Sequence, residues 1–158
     1  MKKFEFTGET KTISLFFRTA TLHRIRAVAE FGLVKIGDLG GWIEKEENLS
    51  HEGKAWVWGD AKVCGNAKVW GDAEVFSASH VLVIGAIGSR DDFTTFFRDK
   101  DNEITVKCGC FLGKIDKFLE KVTQTHGDSK YALVYRAAVE VARLQIDLLG
   151  EAPKDADE

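Results

Sequence analysis

Residues 57–62 (VWGDAK), 63–68 (VCGNAK), 69–74 (VWGDAE) and 75–80 (VFSASH), followed by Val81, form an unbroken six-residue repeat. Valine returns every sixth residue. Gly, then Ser, stands two places after each valine, and Ala, then Ser, four places after. An α-helix does not keep one face at period six, and a half-buried strand alternates at period two. A chain that turns a corner every six residues satisfies both slots, which predicts a parallel β-helix with three hexads per triangular turn. Ile43 and Leu49, six apart, carry the pattern upstream. Eight residues separate Leu49 from Val57, which predicts a two-residue bulge around His51–Gly53. Residues 43–81 then make about two turns. So short a coil has exposed ends and needs caps or partners.

The flanks supply those caps. Residues 1–42 read as a strand-rich N-terminal cap, with runs at 3–7 (KFEFT), 13–17 (ISLFF) and 22–31 (LHRIRAVAEF). The last run is mixed: Leu22, Arg24, Arg26 and Val28 share one face, and His23, Ile25, Ala27 and Ala29 the other. Residues 82–150 read as a C-terminal α+β module. An apolar strand at 81–84 leads into a turn-rich loop from Gly85. Strands at 94–98 and 103–107 are joined by a hairpin turn at 99–102 (DKDN). Ile115, Phe118, Leu119 and Val122 then follow helical spacing up to His126 and Gly127. A second helix starts at Asp128 or Ser129, with Tyr131, Val134, Tyr135, Ala138, Val141, Ala142 and Leu144 as its expected buried stripe. Residues 151–158 (EAPKDADE) read as a disordered acidic tail. The expected fold is therefore α+β: a short parallel β-helix between a strand-rich cap and a hairpin with two antiparallel helices.

A formal charge of −3 with 30% charged residues argues against general nucleic-acid binding or a membrane-surface role. No apolar run approaches the ~20 residues of a membrane span, and the N-terminus lacks a signal-peptide core. The three cysteines, Cys64, Cys108 and Cys110, are an odd count, and a one-residue gap makes the last two a poor disulfide pair. A reducing cytoplasm is the expected compartment.

The V-x-G-x-A-x hexads resemble the left-handed β-helix of hexapeptide-repeat proteins. The wider string of 37–44 (GDLGGWIE), 48–50 (NLS), the hexads, 87–90 (IGSR) and 108–111 (CGCF) looks like small proteins encoded in phage and prophage genomes. That resemblance implies a virus-encoded accessory protein acting inside a bacterium, from a class of genes that often interferes with host defence. Hexapeptide-repeat acyltransferases have longer coils and a histidine base, whereas His51 and His80 are the only histidines in this repeat region and show no orienting partner. Carbonic anhydrases of this coil type use a set of histidine ligands that two scattered histidines do not match.

Three groups of residues are candidates for function. Trp58, Trp70 and Phe76 follow hexad valines and should point outward, with Phe76 stacked beside Trp58 eighteen residues earlier. Such apolar groups need covering, by the flanks or across a subunit or target interface. The stretch of Gly88, Ser89, Arg90, Thr94 and Thr95 joins an Arg fork to hydroxyls, as a phosphate-bearing ligand requires. Its structural alternative is a turn pinned by Arg90 with Asp91 or Asp92. Cys108, Cys110 and His126 form a possible three-ligand metal set, weakened by the tight C-x-C spacing and the lack of a fourth ligand. Two core-packed thiols on one strand face are the structural alternative. No cofactor is expected. The expected function is non-catalytic binding by a cytoplasmic homo-oligomer, a dimer or trimer, that inhibits a host defence protein or sequesters its nucleotide signal. The rivals are an enzyme acting on a phosphorylated or nucleotide substrate at Ser89–Arg90, or a structural assembly unit.

Overall fold

The computed structural model describes residues 2–148; the expected acidic tail lies outside the described residues. The described residues are mixed α+β, with two four-stranded sheets, a two-stranded pair, two α-helices and two short 3-10 helices. The first sheet runs in the order β1 (Phe4–Ser14), β2 (Thr19–Ala27), β3 (Leu39–Ile43), β5 (Lys62–Val63). β1, β2 and β3 are antiparallel, and only β5 joins in parallel. β4 (Trp56–Val57) pairs in parallel with β6 (Glu74–Val75). The second sheet, fully antiparallel, runs β10 (Phe111–Lys114), β9 (Ile104–Cys108), β8 (Asp92–Arg98), β7 (Val81–Ile87). α1 (Ile115–His126) and α2 (Lys130–Gln145) follow it.

The expected β-helix is not formed. Among the described residues there is no closed coil or solenoid, and most strand pairing is antiparallel. The hexads yield strands of only two residues: Gly59 and Gly65 adopt positive φ just beyond β4 and β5, and Gly71 does the same just beyond the Leu49–Val69 bridge. Their parallel pairings are β3 with β5, β4 with β6, and the single bridge of Leu49 with Val69. On either side the chain returns at once to antiparallel pairing, in β2–β3 before the repeat and β7–β8 after it. The slots themselves behave as the repeat requires. Val57, Val63, Val69 and Val75 are buried with Ala61, Ala67 and Ala73. The eight-residue gap is also real: Leu49 faces Val69, twenty residues on, but Val57 faces Val75, eighteen on.

The mixed pattern of β2 has a local cause. Its inward residues are Ala20 and Leu22, then Ile25 and Ala27, so the buried face changes between Leu22 and Ile25. The register against β1 shifts there: between the Phe6–Ile25 and Thr10–His23 pairs, Thr7, Gly8 and Glu9 lie opposite the single residue Arg24, a bulge.

Two apolar cores result. One joins Phe4, Ile25, Ile43, Leu49 and Trp56 to the hexad valines and alanines. The other packs the second sheet on the helices through Val106, Phe118, Val122, Tyr135 and Val139. β8 is the wall between them: alternation sends Phe96 into the helical core and Phe97 into the repeat core. In α2 the buried residues are Ala132, Tyr135, Ala138, Val139 and Ala142. Tyr131, Val141 and Leu144 of the expected stripe are exposed. No helix among the described residues is long and apolar enough to cross a membrane.

Candidate functional site

A cavity of about 270 Å³ opens where two turns of the second sheet meet α1 and α2. β7 continues to Ile87, beyond the loop expected from Gly85, so the turn into β8 is only residues 88–91. Gly88 and Asp91 there take positive φ. A Cβ at Gly88 would lie 1.9 Å from the Tyr135 hydroxyl, so only glycine lets this turn rest against α2. The second turn, between β9 and β10, carries Gly109 at φ 55. Cys108 ends β9 and Cys110 sits exposed in the turn, so the two thiols do not share a strand face as expected.

The pocket pairs an aromatic wall with a charged rim. Phe118 meets the Tyr135 ring edge-on at 5.7 Å and lies 5.5 Å from Phe111. His126 stacks on Tyr135 at 5.8 Å and contacts Tyr131 at 5.6 Å. Arg90 and Lys121 bring cations to the rim, and Asp92 one carboxylate. Burial, and next the neighbouring Cys108 thiol, push the Tyr135 hydroxyl up to about 12, so it stays protonated at neutral pH. Thr94 Oγ1 donates to Cys108 Sγ at 3.4 Å and fixes the thiol from behind.

The structure therefore joins two candidate groups that are far apart in sequence. Ser89 and Arg90 line the same cavity as Cys108, Cys110 and His126. Thr94 and Thr95 do not line it: both are buried in β8, and Thr95 Oγ1 accepts the Lys68 backbone N–H at 3.0 Å. Among the described residues no group of three or more His, Cys, Asp or Glu side chains is placed to hold a metal ion. Lys121, Phe111 and Phe118 were missed as site residues. Phe118, Lys121, Val122 and Thr125 fall at steps of three and four, so one face of α1 was readable as the pocket wall.

The outward repeat aromatics are half-buried and covered within the chain. Trp58 and Phe76 stack at 5.4 Å and 4°, as their eighteen-residue separation predicts. The Arg98 guanidinium lies 5.5 Å from the Phe76 ring, and Lys107 Nζ 4.6 Å from that of Trp70. The two repeat histidines are structural acceptors. His51 Nδ1 takes the Lys3 backbone N–H at 2.9 Å, and His80 Nδ1 that of Phe76 at 3.0 Å. Burial lowers the pKa of both rings, which suits neutral acceptors and removes Nδ1 as a base.

No protein-family model matches the chain, and no curated protein matches it.

Proposed function

We propose that this protein is a non-catalytic binder of a small phosphate-bearing ligand with a planar ring, a nucleoside monophosphate by size and chemistry, held in the pocket between the 88–91 turn and α1. The supporting observation is the convergence of Arg90 and Lys121 with the aromatic wall of Phe111, Phe118 and Tyr135 in one cavity. Arg90 presents a planar fork to phosphate oxygens, and Lys121 adds a point charge. Aromatic faces accept a base by stacking. At about 270 Å³ the cavity lies just below the ~300–1,000 Å³ of ligand pockets, which favours one nucleotide over two.

In the setting implied by the phage resemblance, the ligand is a nucleotide signal of bacterial defence, and binding removes it from its receptor in the host cytoplasm. Titration calorimetry against AMP, GMP, CMP, UMP and inorganic phosphate tests this reading. Wild type should bind at least one nucleotide more tightly than phosphate, and Arg90→Lys should weaken that binding at an unchanged melting temperature. Chromatography of the recovered nucleotide should show it intact; turnover would refute the non-catalytic part.

A further inference from the structure

We infer that a second cavity, between the 31–34 turn and the repeat, binds a free amino acid with an apolar side chain. The cavity measures about 210 Å³ and shares no lining residue with the first. The 31–34 turn, the repeat region and the β8–β9 turn meet there. Phe31 and Val34 exchange backbone hydrogen bonds at 3.1 and 2.8 Å, which closes their turn with Leu33 exposed at its tip. The charged residues of the rim are pinned through their backbone. Lys54 N–H donates to the Gly71 carbonyl at 3.0 Å, and Lys100 N–H to that of Asp72 at 3.0 Å. The Glu74 carbonyl accepts from Arg98 Nη1 at 3.1 Å. The two aromatic rings of the lining are braced as well: Trp58 stacks on Phe76 at 5.4 Å, and Phe31 meets Trp56 edge-on at 5.2 Å.

Charge selects the ligand. Lys54 and Lys100 balance Asp72 and Glu74 in the lining. Lys100 and Asp72 already pair, at 3.5 Å. Lys54 has no side-chain partner among the described residues. Glu74 Oε2 lies 3.6 Å from Nη2 of the fully buried Arg98, too far for a hydrogen bond, so its carboxylate stays open to a donor. One open cation and one open carboxylate match the two charges of an amino acid, its carboxylate on Lys54 and its ammonium on Glu74. Burial raises the Glu74 pKa against the pull of Arg98, so an incoming ammonium offsets a cost that the carboxylate otherwise bears. Phe31, Val34 and Trp58 offer apolar surface to the ligand's side chain. A nucleotide fits poorly, because its phosphate would bring about two negative charges against Asp72 and Glu74. The volume also lies below the ~300–1,000 Å³ of drug-sized ligand pockets, as a molecule of amino-acid size requires.

Titration calorimetry of wild type with leucine, methionine and phenylalanine, each taken to millimolar concentration, tests the proposal. At least one should bind. Its analogues lacking the ammonium or the carboxylate should bind roughly tenfold or more weakly, the scale of one charge-assisted hydrogen bond. Lys54→Ala and Glu74→Gln should each weaken binding by a similar factor. Lys54 is exposed, so its variant should keep the wild-type melting temperature even where loss of the Glu74 charge beside buried Arg98 lowers that of the other. Absence of binding by all three amino acids overturns the proposal. So does an analogue that binds as tightly as its parent, or an unchanged affinity in either variant.

Discussion

Replacing Asn48 with leucine should destabilise the protein by about 3–5 kcal/mol, at ~1 kcal/mol for each hydrogen bond removed and more where burial keeps water out. Asn48 is fully buried and uses its whole amide. Oδ1 accepts the backbone N–H groups of Glu44 at 3.1 Å and Lys45 at 2.9 Å. Nδ2 donates to the carbonyls of Gly65 at 3.1 Å and Ala67 at 2.9 Å. One side chain thus ties the end of β3 to the repeat some twenty residues later. Leucine fills similar space but takes a partner from four backbone groups, of which only the Glu44 N–H keeps another, the Val63 carbonyl at 3.1 Å, and the Ala67 carbonyl is the deepest of them. The loss is a large share of the ~5–15 kcal/mol that holds a domain folded. Asn48→Asp is the informative control. It keeps both acceptor contacts but aims a carboxylate oxygen at two carbonyls, so it should approach the leucine variant at pH 7 and recover partly in acid, where the carboxyl donates. Urea unfolding followed by fluorescence of the buried Trp42 and Trp56 reads all three proteins. A loss below about 1 kcal/mol for Asn48→Leu, the worth of a single bond, would refute this reasoning.

Gly88→Ala should cost about 1–3 kcal/mol through strain and overpacking against Tyr135; Tyr135→Phe in the same chain should restore part of it, and simple additivity in thermal melts would contradict the contact. Glu44 is held well below the carboxylate range, near 2, first by the Arg18 fork at 2.6 and 2.9 Å and also by the Gly65 N–H. Its stabilisation is therefore present above pH 4.5 and lost as pH falls toward 2. Arg18 stands largely in water, so screening reduces Glu44→Gln to about 1 kcal/mol, measurable at pH 7 and absent near pH 2. His51 and His80 have pKa values lowered mainly by burial, so their contribution is full above pH 6.5 and declines as pH falls below it. Melting temperatures between pH 8 and 5 should fall in wild type and fall less in His80→Gln; parallel profiles would count against the acceptor role.

Local chemistry was legible in the chain, and long-range pairing was not. The Asp99–Asn102 turn, the α1 face and the inward valine and alanine slots follow from spacing that acts within a few residues. Closure of the repeat depends on neighbours, and positive-φ Gly59 and Gly65 end β4 and β5 after two residues. β10 went unseen because Phe111–Lys114 is short, contains Gly113 and is stabilised by its partner β9. The stripe of α2 was misread because two seams compete: small Ala132 and Ala142 lie inside while large Leu144 lies outside. At the site, Ser89 and Arg90 were legible by residue type. Their meeting with His126 and Tyr135 required the β8–β9 register and the path of α1 across it.

Calorimetric titration of wild type, Arg90→Lys and Lys121→Ala with the nucleoside monophosphate that binds best tests the proposed function most directly. Each charge-assisted bond contributes about 1.5–3 kcal/mol, so either substitution should weaken binding by roughly ten- to a hundredfold while thermal melts stay unchanged. Absence of binding by wild type to every nucleotide, or equal affinity across the three proteins, would contradict it.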